Sequence, residues 1–179
     1  MPPSMQRRKL IANALGLGVV LVVGAPPVAI AADQLVRRPI DRGLLDGRWR
    51  LDMLGRLNVI RERNTLHALR LDERLNGAAQ LHSDDMASRN YFDHQTPEGS
   101  RMTDRADAFG YRWRLLLENI ATGQENPGEA VAGWMDSAGH RAAILNAKGR
   151  DAGMGHSYRP PDDEIAGIRH YWTLLIGTE

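Results

Sequence analysis

The sequence predicts an α+β fold, and three observations predict it. Apolar residues recur at helical spacing in the first half of the chain, between Leu51 and Arg89. Two strand-like stretches, Asp151 to Tyr158 and Ile168 to Ile176, close it, joined across Pro160-Pro161-Asp162-Asp163 as a long-looped hairpin. No internal repeat or low-complexity tract breaks this order, and 179 residues suit one domain with a tail.

The first 31 residues are expected to lie outside that domain. Arg7, Arg8 and Lys9 precede an apolar run from Leu10 to Val23, and Ala29-Ile30-Ala31 supplies a small-x-small site. This is the pattern of a secretory signal, with cleavage expected after Ala31. A membrane anchor is the competing reading, but the run is short for a spanning helix and Pro26-Pro27 follow it. The Arg7-Arg8 pair lacks the Ser and Phe of a twin-arginine signal. Removing 1–31 changes the charge from +1 to −2, because 20 Lys+Arg then face 22 Asp+Glu. No nucleic-acid partner follows from such a balance. No stable membrane span is expected once the signal is gone.

Residues 32–50 read as a linker with a turn at Trp49, and 51–177 as the domain. Leu51, Leu54, Leu57 and Ile60-Arg61 place a helix to about Arg63. A second helix is expected from Asp72, its N-cap, to Arg89, with Leu75, Ala78, Ala79, His82 and Met86 on one face and Asn90 as the stop. Tyr91 to Gly99 is a loop. Ser100 or Thr103 would cap a short helix ending at Gly110. Leu115 to Ala121 is a strand. Asn126-Pro127 starts a helix through Asp136, and Ser137 would cap another from Ala138 to Leu145.

The absence of cysteine excludes a disulfide scaffold, a thiol nucleophile and a Cys-type zinc site. Any metal must then use His, carboxylate or hydroxyl ligands. No Gly-x-Ser-x-Gly, phosphate loop or His-Glu-x-x-His is present. Ser137, His140 and Asp136 are too close in sequence for triad geometry.

Four segments together resemble the CAP superfamily of cysteine-rich secretory, antigen five and pathogenesis-related proteins, in its bacterial SCP-like form. They are Ala78 to Ala87 running into Tyr91-Phe92-Asp93-His94; Glu118-Asn119-Ile120-Ala121; Gly133 to Asn146; and Tyr171-Trp172-Thr173. The resemblance implies a three-layer α-β-α sandwich with a small antiparallel sheet between helix layers. It also implies a cleft able to hold a metal on two His and two acidic residues. His94 and Glu118 match the first of each. The second acidic position falls at Ser137 and the second His at Tyr171, so the cleft here is expected to be His94, Glu118, His140 and Tyr171. His94, Glu118 and His140 would be the metal ligands, a set suited to Zn²⁺ or another divalent cation. If the last strand is shifted by one, His170 replaces Tyr171.

The remaining residues read as scaffold. His82 is a satisfied core residue, His67 and His156 lack an arguable partner, and Trp134 and Trp172 are core. Arg61-Glu62-Arg63 and Arg101 to Arg105 read as solvated helix surface. Three functions follow as expectations: an exported binding module for a small-molecule, lipid or cell-envelope ligand; a hydrolase with Glu118 as general base; or a structural envelope protein with an idle cleft.

Overall fold

Helix α2 (Glu73–Arg89) shows how locally the sequence sets its elements. Asp72 has extended backbone, and its Oδ1 accepts the N–H of Arg74 at 2.9 Å and of Leu75 at 3.2 Å. These bonds satisfy donors that a helix start otherwise leaves open. Asn90 closes the other end at φ 54°, a left-handed conformation that Asn tolerates. Between the caps, Leu75, Ala78, Ala79, His82 and Met86 are buried on the expected face.

The computed structural model describes residues 48–159 and 170–179. The expected signal, most of the linker and the Pro160–Asp163 connection lie outside these residues. The described elements belong to the unit Asp41–Glu179. They are α1 (Arg48–Arg63), β1 (Arg70–Leu71), α2, α3 (Met102–Ala108), β2 (Leu115–Thr122), α4 (Pro127–Asp136), α5 (Ala138–Ile144), β3 (Asp151–Tyr158) and β4 (His170–Thr178). Among the described residues no helix is long and apolar enough to cross a membrane.

The sheet runs β1-β3-β4-β2. β4 is antiparallel to both neighbours, with Thr173 opposite Gly155 on one side and Ile120 on the other. β1 pairs parallel to β3, Arg70 with Asp151. Side chains alternate across a strand, so β4 feeds two cores. Trp172, Leu174 and Ile176 pack with Met53 and Leu57 of α1, Val131 and Trp134 of α4 and Ile144 of α5. Leu175 packs with Leu75, Ala78 and Ala79 of α2 and Ala106 of α3. The fold is the α-β-α sandwich that the resemblance implies. Gly153 and Gly155 let α2 lie against β3. A Cβ there would stand 2.1 Å from the Leu75 carbonyl carbon and 2.2 Å from the Ala79 oxygen.

Several local expectations are corrected. α1 starts at Arg48 rather than Leu51, and its buried line is Met53, Leu57 and Arg61. Leu51 is turned out beside an apolar groove between α1 and α4. Arg61 is not solvated: it is fully buried, and its guanidinium donates to the carbonyls of His67, Ile144, Asn146 and Gly149. The Ile144 and Asn146 carbonyls lie at the C-terminal end of α5, where carbonyls are left over and a cation is favoured. Neither Ser100 nor Thr103 caps α3; Arg101 holds that position, and Asp104 accepts its N–H at 2.8 Å. Ser137 sits at the start of α5 without a side-chain capping bond. His156 has a partner after all: its ring meets His170 at 2.9 Å and stacks on Trp172.

Candidate functional site

β2 is an edge strand, and a cleft of about 700 Å³ opens beside it. The loop that follows α2 and the start of α3 form one wall, carrying His94 and Met102. α5 forms the other, carrying Gly139 and His140. Successive residues of β2 point opposite ways. Glu118 turns toward α3, whereas the Asn119 side chain donates to the carbonyl of His140 at 3.0 Å and ties α5 to the sheet. Trp134 adds a second tie, its indole N–H reaching the Ile120 carbonyl at 3.0 Å.

The His94 loop is held from several sides. His82 Nε2 donates to the Asp93 carbonyl at 3.0 Å, Asp93 Oδ1 accepts the Gln95 N–H, and Gly99 (φ 88°) closes a turn onto Thr96. His82 is wholly buried, and burial pulls its pKa down to about 4, so the ring is neutral near pH 7.

The polar centre is a chain of three groups. Glu118 Oε1 accepts His94 Nδ1–H at 2.9 Å, and Oε2 accepts a guanidinium N–H of Arg105 at 2.5 Å. The side chains of Arg105 and Glu118 are 3% and 2% exposed, against 54% for His94. A buried carboxylate needs such pairing. Because a carboxylate only accepts, the bond fixes the His94 tautomer and leaves Nε2 for the cleft. The bond to Glu118 raises the His94 pKa. His140 is shifted the opposite way, by burial first and by the nearby His94 second. The cleft thus pairs a ring that holds its proton with one that gives it up readily.

Arg105 is the functional residue the sequence reading missed; it is buried and not part of a solvated face. A signal was present. Met102, Arg105, Ala106 and Phe109 lie at i, i+3, i+4 and i+7, so the arginine stands on the apolar stripe of α3.

Tyr171 lies apart from the cleft lining. It shares the Glu118 face of the sheet but stands opposite Thr122, packed with Met86 and Ile120. Its hydroxyl donates to Asn90 Oδ1 at 3.3 Å. His170 is on the other face, against His156, so a one-residue shift does not place it beside Glu118 either. The structure therefore brings His94, Glu118 and His140 together, adds Arg105, and leaves Tyr171 in the core.

The model of the cysteine-rich secretory protein family, CAP, matches residues 54–176. The chain belongs to this family. This CAP domain is 41% identical over 99 residues to the uncharacterized protein YkwD of Bacillus subtilis, covering 55% of the chain and 38% of YkwD. It is 36% identical over 98 residues to the uncharacterized membrane protein YlbC of the same organism, covering 55% of the chain and 28% of YlbC. The chain therefore spans well under half of the curated relatives it matches. Among solved structures it is similar to an SCP-domain extracellular protein of Bacillus anthracis (TM-score 0.63, 29% identity, 72% of this chain and 40% of that one). An outer surface protein of Borrelia burgdorferi shares the fold at TM-score 0.65 and 18% identity, covering 74% of this chain and 93% of that one.

Proposed function

We propose that this CAP domain is an exported binding module whose cleft engages its ligand through His94 and His140. One observation carries the reading. The buried Arg105–Glu118 pair fixes an exposed His94 ring at the mouth of an open cleft, and pre-fixing a contact group lowers the ordering cost of binding. The expected signal at 1–31, together with the extracellular and outer-surface relatives, supports export; mass spectrometry of the exported protein tests it, with Ala32 as the expected first residue.

The donor set does not fit the divalent cation that the resemblance implies. Both Glu118 oxygens are engaged, one by a guanidinium. Among the described residues no three His, Asp or Glu side chains gather to hold a metal. Calorimetric titration with Zn²⁺ is expected to give no saturable heat. Zinc binding lost in both His94→Ala and Glu118→Gln would restore the metal site.

A hydrolase is the second reading, and the His94–Glu118 dyad favours it, since a carboxylate that orients a His is a feature of general-base sites. Glu118 in that case positions His94 rather than acting as the base. One experiment separates the readings. The ¹⁵N signals of His94 and His140 are followed while short peptides, phosphorylated sugars and short-chain phospholipids are added. A binding module shifts both signals with no change in the added compound. Consumption that stops in His94→Ala identifies a hydrolase, and silence towards all three classes an idle cleft.

A further inference from the structure

β2 contributes Leu117, Glu118 and Asn119 to the cleft lining. Gly123 N–H donates to His170 O at 2.9 Å, one step beyond the Thr122–Tyr171 pair. Donors and acceptors alternate sides along an antiparallel strand. Residues 121, 119 and 117 therefore turn their N–H and C=O groups toward β4, and 120, 118 and 116 turn theirs outward. The Trp134 indole on Ile120 O agrees with this phase and closes that end of the edge. Leu116, at the other end, is buried. Glu118 is the open unit. Its side chain is 2% exposed although the residue as a whole is only half-buried, so what faces the cleft is its backbone. The phase of the sheet aims both its N–H and its C=O at the cleft.

We infer that an extended segment of another polypeptide binds in this cleft as an added strand, paired on the N–H and C=O of Glu118. The inference deepens the binding-module reading, and rests on it, by naming the ligand class. An unpaired strand edge offers a donor and an acceptor at strand spacing, which an extended backbone matches. A lipid tail offers neither partner. The alternating side chains of the segment then meet the two walls in turn, His94 and Met102 on one and the helix α5 surface on the other. Gly139 leaves that second wall open, since a Cβ there meets no atom within 4 Å. Recognition through the main chain tolerates sequence, with the walls supplying preference.

The test is amide exchange of Glu118 in the full chain, followed by NMR with a millimolar mixture of random-sequence hexapeptides. A peptoid mixture, with side chains on nitrogen and no main-chain donors, is the control. The peptides are expected to slow exchange at Glu118 at least tenfold, the peptoids to leave it unchanged, and Gly139→Trp to abolish the effect while keeping the spectrum of a folded chain. Ala142→Trp serves if the first variant misfolds. Unchanged Glu118 exchange, or equal slowing by peptoids, overturns the inference. If the His94 and His140 signals still move with peptide, the cleft binds but not by strand addition; if nothing moves with any ligand class, the binding-module reading falls as well.

Discussion

Arg61 and Arg105 are both buried arginines, and their partners give them different work. Arg61 donates to four backbone carbonyls and, among the described residues, to no carboxylate. It joins α1 to the end of α5 and to the segment before β3, so its role is scaffold. Arg105 also reaches carbonyls, those of Ser100 and His94, but its shortest bond goes to Glu118. Through that carboxylate its charge reaches the exposed His94 ring. Burial of a cation alone therefore says little about function; the group at the far end of the guanidinium decides it.

Substitutions break this comparison in order of size. Arg61→Met leaves up to four carbonyls unsatisfied and is expected to cost about 4 kcal/mol in urea unfolding. The titration of His94 should stay where it was. Arg105→Met strands the Glu118 carboxylate, a loss of about 3 kcal/mol. It also removes a positive charge that holds the His94 pKa down, so His94 should titrate higher. If both variants move His94 alike, the division between scaffold and site arginine fails.

His82, behind the same loop, gives a pH test. Its pKa falls from an ordinary 6.5 to about 4 on folding. The unfolded chain thus binds a proton that the folded one refuses, and acid favours unfolding. Stability is full above pH 6.5 and drains as pH falls toward 4, by about 2 kcal/mol at pH 5. His82→Asn should flatten that part of the profile. The smallest effect is a control on a purely local element: Asp72→Ala removes the α2 cap for about 1 kcal/mol with no change at His94.

What was legible in the sequence was what is local. α2 could be read because Asp72, Asn90 and the spacing of its apolar face all lie within it. The β3–β4 hairpin could be read from composition and a long joining segment. β1 could not, because two residues carry no pattern and their pairing partner is Asp151, far along the chain. The face of α1 was misread because Arg61 counted as polar; three of its four acceptors come from segments 83 or more residues away. Arg105 failed for the same reason, although its place on the apolar stripe of α3 was visible. Motif matching brought His94, Glu118 and His140 to one cleft, yet it also brought Tyr171, whose distance from Glu118 along the sheet depends on strand register.

The central claim is that Glu118, backed by Arg105, holds His94 as a fixed, protonatable ring and not as a metal ligand. The most direct measurement is the ¹⁵N-imidazole titration of His94 in the parent and in Glu118→Gln, each with and without Zn²⁺. The expected result is a proton on Nδ1, a pKa above that of His140, a fall in Glu118→Gln, and no response to zinc. A His94 that titrates below its ordinary value, or that shifts with zinc together with His140, would contradict it.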